Sequence, residues 1–446
     1  MTRLFGTDGI RGVANVDLKP TLAYALGRAT AYLLASGRGP IVLGQDTRRS
    51  GDMLVAAIVA GATSMGVDAY RAGVLPTPAL AHLAGTGEFA AGIMVSASHN
   101  PADDNGLKVL DGRGVKLDDA LEDELDTLIW RAEELPGPTN AGIGREVDAR
   151  ALVEQYVAHR IDLARRNAND LRVMVDCANG SGWAVAERIL SASGARVATM
   201  HDAPDGVNIN LGCGATHPES VAAEVAGGGF DVGFALDGDA DRCVAVDERG
   251  RVVDGDRLIG LIALDRLQRD ALAGSTVVVS VLSNGGLATA IEQAGGKVLR
   301  TPVGDKYILD AMLVSGAGLG GEKSGHVIVA EHANAGDGLV TALEVLGILA
   351  RRGRPLSELA GEIALYPQQQ RSVRVRHKDQ WEADAGLVAA ILAAEAELAD
   401  GGRVLVRPSG TEPVLRIMVE GRREEHVASL ADQLAVLAAD RLNQPA

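Results

Sequence analysis

The order of apolar and polar positions repeats three times along most of the chain. A continuous apolar run, Ile41-Val42-Leu43, leads into a polar turn at Asp46-Thr47, a helical segment and, after Gly66, a second apolar run at Val67–Tyr70. The same order returns as Val173-Met174-Val175, a turn at Asn179-Gly180-Ser181, a helical segment, Gly194 and Arg196–Met200. It returns again as Val277-Val278-Val279, Asn284-Gly285-Gly286, a helical segment, Gly295-Gly296 and Lys297–Thr301. Leu54, Ala57, Ile58, Gly61 and Met65 fall on one face of a 3.6-residue period, as do Leu287, Ala290, Ile291 and Ala294. Strands that are apolar at every position are buried on both faces, which predicts β-α-β units and an α/β fold.

Breaks in the pattern divide the chain. Leu135-Pro136-Gly137-Pro138 ends the first region, and a connecting helix is predicted over about 148–168. A second change falls at Asp254-Gly255 and a third at Tyr366-Pro367, beside a run of glutamines. The four regions expected are 1–137, 155–253, 254–364 and 370–442. The last reads as strand (372–376), helix (383–398), strand (403–406), strand (414–420) and helix (424–442), an α+β layout unlike the three before it.

Composition narrows the class of function. The chain has 446 residues, 47% hydrophobic, with mean hydropathy +0.09, enough for substantial cores. The formal net charge of −16 argues against a nucleic-acid or anionic-membrane partner. It also requires that an anionic ligand be held by a local cluster of cations. Cys177, Cys213 and Cys243 show no C-x-x-C spacing, which speaks against a disulfide framework or a zinc site and for a reducing, cytoplasmic setting. The N-terminal residues carry no apolar signal segment, and no apolar run is long enough to predict a membrane span.

Five segments carry candidate chemistry. Ser96-Ala97-Ser98-His99-Asn100-Pro101 follows the apolar run 92–95, which puts a serine hydroxyl at the C-terminal end of a strand, where ligands of α/β sheets collect. Ser96 and Ser98 could share one face of an extended segment, so spacing does not choose between them. A bare serine needs a base or a metal to act, and no G-x-S-x-G elbow is present. In Asp237-Gly238-Asp239-Ala240-Asp241-Arg242, three carboxylates at alternate positions repel one another unless a cation lies between them. Their hard oxygens suit Mg²⁺ or Ca²⁺. An EF-hand is disfavoured: Glu248 fills the twelfth position, but Arg242 stands at the sixth, where that loop needs glycine, and the preceding segment is a strand. Glu322, Ser324 and His326 lie on a glycine-flanked loop able to hydrogen-bond sugar hydroxyls. Arg407-Pro408-Ser409-Gly410-Thr411-Glu412-Pro413, followed by Arg416, offers backbone N–H groups, hydroxyls and a guanidinium to a phosphate. Phe5–Gly12 is a glycine-rich loop with Arg11. Each alone also suits a surface turn; the set, one per region, describes a phosphate site assembled from several domains.

Together and in this order the segments resemble the α-D-phosphohexomutase superfamily. Pro204–Asn210, Cys213–Glu219 and Gly336-Asp337-Gly338 bring the likeness closest to its bacterial branch acting on amino-sugar phosphates. The resemblance implies three related α/β mixed-sheet domains and a C-terminal α+β domain of TATA-binding-protein-like topology around a central cleft. It implies Ser98 as a phosphoserine whose phosphate, with Asp237, Asp239 and Asp241, holds one Mg²⁺. Glu322 and Ser324 then bind sugar hydroxyls, and Arg407, Ser409, Gly410 and Thr411, with Arg416, clamp the phosphate that does not react. Arg11, His99, Lys108 and Arg242 neutralise the phosphoryl group in transfer, and Lys108 or His326 serves as general acid/base. The implied reaction is isomerisation through a sugar 1,6-bisphosphate, which also acts as activator. The expected partner is a hexosamine monophosphate, with a homodimer compatible. Alternatives are a phosphomannomutase or phosphoglucomutase of the same superfamily, a non-catalytic sugar-phosphate-binding paralogue, and a metal-dependent phosphatase. One departure stands out: the branch commonly carries Gln or Asn between the glutamate and serine of the sugar loop, where this chain has Lys323.

Overall fold

The computed structural model describes residues 3–6, 8–164, 168, 170–399, 401–409 and 412–443. Two units separate, one of residues 1–282 and 294–361, the other of 283–293 and 362–446.

The first unit contains three sheets, and each holds the same four-stranded arrangement. In the first, Ile41–Gln45 pairs in parallel with Ala69–Val74 on one side and Ala91–Val95 on the other, and Asp104–Asp111 returns antiparallel beside Ala91–Val95. The second sheet repeats this with Arg172–Asp176, Arg196–Met200, Val232–Leu236 and Cys243–Asp247. The third does so with Thr276–Ser280, Lys297–Thr301, Leu319–Gly321 and Val327–Val329. The repeat seen in the apolar pattern is therefore a repeat of topology. Outer strands differ: Ile10–Val13 and Glu146–Asp148 extend the first sheet and Val252-Val253 the second. The mixed sheets match the α/β class expected.

The central strands are apolar and buried along their length, as continuous apolar runs require. The helix Ser50–Ser64 buries Leu54, Val55, Ile58, Val59 and Ala62, the predicted face shifted slightly around its axis. Some boundaries move. The second strand of the first copy spans 69–74, not 67–70, because Gly66 and Val67 close the preceding helix through hydrogen bonds to Thr63 and Ala62 carbonyls. The connecting helix is confined to Val153–Leu163 and is entered through a short 3₁₀ turn at Arg150–Leu152.

In the second unit, Gln368–Arg374, Val414–Glu420 and Arg403–Pro408 form an antiparallel sheet in that order. The helices Ala385–Leu398 and Glu424–Leu442 supply Leu387, Val427, Leu430 and Leu434 to a core shared with Leu415, Ile417 and Val419. The first of these strands begins four residues before the expected start, because the glutamine run pairs with 418–420. Among the described residues no helix is long and apolar enough to cross a membrane.

Topology decides where the chemistry lies. In all three sheets of the first unit, the loop joining the third strand to its antiparallel partner carries a candidate motif: Ser96–Pro101, Asp237–Arg242 and Glu322–His326. Each loop leaves the C-terminal end of a parallel strand, the usual ligand side of an α/β sheet.

Candidate active site

The two serines of the first loop have different surroundings. Ser96 Oγ donates to Asp46 Oδ2 at 2.6 Å and accepts from the Ser98 N–H at 3.0 Å, so its hydroxyl is fully committed to structure. Ser98, buried and held at φ +52°, directs its Oγ onto Asp237 Oδ2. Geometry thus separates two hydroxyls that spacing could not. The buried Arg48 holds this loop: its Nε pairs with Asp46 at 2.9 Å, and its terminal nitrogens donate to the carbonyls of Ser98 (3.0 Å), Asn100 (2.8 Å), Pro101 and Asp104 (2.9 Å). Asn210 Nδ2 adds a second donor to the carbonyls of Ser98 (2.8 Å) and Asn100 (3.0 Å). A side chain at Gly238 would meet the Ser98 carbonyl at 2.5 Å, so only glycine lets the second loop come this close.

The second loop gathers three buried carboxylates, with one oxygen from each of Asp237, Asp239 and Asp241 lying within 4.8 Å of the others. Burial and the charges of Asp241 and Asp239 push Asp237 well above the usual carboxylate range. Burial also acts on Asp241, but His326, Lys108 and Arg242 outweigh it and hold that group below the ordinary value. Asp239 Oδ2 accepts from Thr77 Oγ1 at 2.6 Å and from Lys108 Nζ at 2.9 Å. Asp239 Oδ1 and Asp241 Oδ1 are buried without a hydrogen-bond partner. Orphaned oxygens, mutual repulsion and an all-oxygen donor set are the features of a site for a hard divalent cation, and the residues present fit one.

Cations surround the triad. Lys108 is buried on the strand beside Ala91–Val95 with Nζ 3.4 Å from Asp8 as well as 2.9 Å from Asp239. Burial alone would lower its pKa; Asp239, Asp8 and Asp241 raise it instead, so it stays an ammonium. Arg11 pairs with Asp8 and donates to Asn100 Oδ1 at 3.2 Å. Arg242 donates to His99 Nδ1 at 2.9 Å, and Ser98 Oγ lies 3.4 Å from the same nitrogen. Burial, Arg242 and Arg11 bring His99 down to about 4, so in the unphosphorylated chain its ring is neutral. Of the four groups expected to neutralise charge, three are cations and His99 is a hydrogen-bonding spacer between Arg242 and Ser98. The Asp8 carboxylate, held low against burial by Lys108, Lys116 and Arg11, and the Lys116–Asp305 pair at 2.6 Å complete the network. Arg48, Asn210, Thr77, Asp8, Lys116 and Asp305 were not singled out by sequence, although Asp8 and Asn210 lie inside segments that were.

The third loop is pinned to the second. Cys243 N–H donates to the Gly325 carbonyl at 3.0 Å and Gly255 N–H to the Lys323 carbonyl at 3.1 Å, and Arg242 and His326 form a β-bridge. Glu322 Oε1 accepts from Gly304 N–H at 3.2 Å. Ser324 Oγ is buried without a hydrogen-bond partner. His326 is buried 3.6 Å from Asp241, and its Nε2 accepts from the Gly336 N–H at 3.1 Å. Burial and the Gly336 N–H favour the neutral ring, but Asp241 and Asp305 outweigh them and raise the His326 pKa above its ordinary value.

The second unit carries the fourth candidate loop. Arg407 and Arg416 face each other across the antiparallel ladder. Ser409 is buried, with its carbonyl accepting from Lys378 Nζ, a cation the motif did not include. Arg416 Nε is buried without a partner among the described residues. Gly410 and Thr411 lie outside the described residues.

Comparison with known proteins covers the regions that carry these motifs. Residues 2–136, 153–250, 254–366 and 372–437 match, respectively, alpha/beta/alpha domains I, II and III and the C-terminal domain of phosphoglucomutase/phosphomannomutase. The phosphoglucosamine mutase of Moorella thermoacetica is 50% identical over 96% of this chain and 98% of its own, and that of Frankia alni 47% over the whole of both. Among solved structures, a phosphoglucomutase/phosphomannomutase family protein of Burkholderia thailandensis superposes with TM-score 0.85 at 28% identity, covering 99% of this chain and 98% of its own. The N-acetylphosphoglucosamine mutase of Aspergillus fumigatus, solved with GlcNAc-6P and magnesium, shares the fold with TM-score 0.72 at 20% identity, over 99% of this chain and 96% of that one.

Proposed function

The chain belongs to the phosphoglucomutase/phosphomannomutase family, and from that premise we infer that it is an isomerase interconverting glucosamine 6-phosphate and glucosamine 1-phosphate. The observation that carries the mechanism is the Ser98 hydroxyl aimed at a buried aspartate triad with unmatched oxygens. Ser98 is the residue that carries the phosphoryl group. Asp237, Asp239, Asp241 and a phosphate oxygen on Ser98 would hold Mg²⁺, which when bound supplies positive charge to the transferring group.

The chain's own residues do the rest. Arg48 and Asn210 fix the backbone of Ser98, so its phosphate has one orientation. Arg11, Lys108 and Arg242 compensate the charge on the equatorial oxygens, the main requirement of phosphoryl transfer. As the bond from phosphorus to Ser98 Oγ breaks, a bond to the sugar oxygen forms. The one proton lost by the sugar hydroxyl is matched by the one the freed Oγ gains, and the regenerated Ser98 hydroxyl hydrogen-bonds to Asp237. The product of this half is a 1,6-bisphosphate, which turns and returns its other phosphoryl group to Ser98. The same bisphosphate, added from outside, charges an unphosphorylated chain. Glu322 and Ser324 serve the sugar hydroxyls; in the second unit, Arg407, Ser409 and Arg416 offer a guanidinium pair and a hydroxyl that suit a phosphate. The test is turnover of glucosamine 6-phosphate with Mg²⁺ and a bisphosphate primer, beside mannose and glucose phosphates. Equal or better turnover of the neutral sugars would refute the amino-sugar assignment, and release of inorganic phosphate in place of isomerisation would refute the mutase.

A further inference from the structure

Among the described residues, a second cluster of ligating side chains lies in the second sheet. Asp176 ends the strand Arg172–Asp176, His201 follows the neighbouring strand Arg196–Met200, and Cys213 sits on the loop beyond. One ligating atom from each lies within 4.8 Å of the other two. Asp176 and Cys213 are fully buried, whereas the His201 side chain is 30% exposed. His201 Nδ1 is buried, 3.1 Å from Asp176 Oδ1, yet makes no hydrogen bond.

We propose that Asp176, His201 and Cys213 form a second cation site, one for a thiophilic divalent ion of the Zn²⁺ class, which ties the loop carrying Asn210 to the sheet. One sulfur, one imidazole nitrogen and one carboxylate oxygen suit Zn²⁺ or Co²⁺ and not Mg²⁺. Ligand bonds of about 2.0 Å in a tetrahedron put N and O about 3.3 Å apart, close to the 3.1 Å seen. Sulfur to nitrogen should then measure about 3.5 Å, so Cys213 must close in by no more than about 1.3 Å. The open edge beside His201 leaves the fourth position to water.

The three segments are held together before any ion arrives. Cys177 N–H donates to the Met200 carbonyl at 3.0 Å and Asn179 N–H to the His201 carbonyl at 2.6 Å. Gly214 N–H donates to Asp176 Oδ2 at 2.9 Å and Ser220 Oγ to the same oxygen at 3.2 Å, while Ala178 N–H holds Oδ1 at 2.8 Å. Gly214 has φ +77°, and a side chain there would meet the Ala178 methyl and the Leu236 carbonyl at 2.6 Å. Such bonds to a ligating carboxylate fix its orientation, as supporting groups do in metal sites. His201 itself is held at φ +47°, a conformation a non-glycine residue adopts only when its surroundings impose it. Nine residues beyond His201, Asn210 donates to the carbonyls of Ser98 and Asn100, so an ion here would stiffen the support of the serine loop. The C-x-x-C rule misses the cluster because its ligands come from three segments that meet only in the fold.

Binding exchanges a proton for the ion: the Cys213 S–H proton leaves to solvent as the sulfur–metal bond forms. Only the thiolate ligates, so uptake should strengthen as pH rises. The experiment is a Co²⁺ titration of the purified full chain in excess Mg²⁺, which keeps the oxygen triad filled. One equivalent of Co²⁺ should bring a thiolate-to-metal absorption band in the near ultraviolet. Cys213→Ser should abolish the band. Loss of a supporting group already costs about 10–100-fold in metal affinity, so loss of a ligand in His201→Asn should weaken Co²⁺ at least tenfold. No band in the wild type overturns the proposal, as does a band that survives in Cys213→Ser. If Cys213→Ser does not fold, His201→Asn decides alone, and unchanged Co²⁺ affinity overturns the site.

Discussion

The serine loop and the aspartate loop occupy equivalent positions in two copies of one fold unit, yet they solve opposite problems. In the serine loop nearly every polar group has a partner: the Ser98 and Asn100 carbonyls each accept from both Arg48 and Asn210, and Ser96 uses both its donor and its acceptor. The charge within it is balanced by the Asp46–Arg48 pair. The aspartate loop is left unfinished, with two orphaned oxygens and a carboxyl raised by burial and by its neighbours. A loop that delivers a nucleophile gains from having one conformation. A loop that binds a cation gains from charge that only the cation can satisfy. The shared scaffold supplies position, and the side chains decide whether a loop stores order or unmet charge.

The sharpest way to break this comparison is to remove the hydroxyl that joins the two loops. Ser98→Ala should lose at least about a thousandfold in rate, as loss of a covalent nucleophile does. Ser96→Ala should keep the phosphate and lose less, since its hydroxyl serves only the loop. Peptide-level phosphate mapping with single-variant kinetics checks both, and phosphate on Ser96 would invert the assignment.

The aspartate loop should respond to charge in the opposite sense to most buried sites. Chelation should abolish activity, and Mg²⁺ should restore it. Asp237→Asn should cost about a hundredfold or more in rate, because it removes charge at the transferring group. In chelator, however, the same variant should be more stable than wild type, because it relieves repulsion. In a unit of about 350 residues an electrostatic gain of about 1 kcal/mol corresponds to a rise of about 1–2 °C in the unfolding midpoint. Calorimetry with and without Mg²⁺ measures it, and a lower midpoint without metal would mean the triad is not frustrated.

Arg48 tests the serine loop's side. Its side chain and that of Asp46 are both fully buried, so Arg48→Met leaves a carboxylate without its partner at a cost of about 3–5 kcal/mol. The double variant Asp46→Asn with Arg48→Met should recover part of that stability without recovering activity, since the Ser98 carbonyl still lacks the Arg48 donor and keeps only Asn210. Recovery of both would show that the pair matters only as a charge balance.

What could be read from sequence follows the same division between local and distant partners. The serine loop and the aspartate triad stood out because each motif is a few consecutive residues, but the choice of Ser98 over Ser96 came from the family resemblance and not from spacing. Arg48 did not stand out, because the carbonyls it serves lie some fifty residues away and nothing in Asp46-Thr47-Arg48 marks that side chain as buried. Thr77 and Lys108 reach Asp239 across 162 and 131 residues. The strand Asp104–Asp111 was missed for a physical reason: Asn105, Gly106 and Lys108 interrupt its apolar pattern, and they are buried because the site needs them there. The neutrality of His99 depends on burial in the fold and on Arg242 and Arg11, so no reading of the serine motif alone could have given it.

The smallest expected effect lies in the third equivalent loop, which leans on the aspartate loop through Gly325 and Cys243. Lys323 stands there between Glu322 and Ser324, with its backbone carbonyl fixed by Gly255 N–H and its side chain exposed. An ammonium facing the C2 position would repel a protonated amine and leave a hydroxyl untouched. Exposure limits the effect, since water and salt screen such pairs. Lys323→Gln should therefore raise the ratio of kcat/KM for glucosamine 6-phosphate over glucose 6-phosphate by roughly fivefold, about 1 kcal/mol, the upper end for an exposed charge pair. The gain should shrink in high salt, which separates a charge effect from a change of loop shape. An unchanged ratio would mean that Lys323 points away from C2. The amino-sugar preference would then rest on Glu322 and Ser324, the two side chains that flank it.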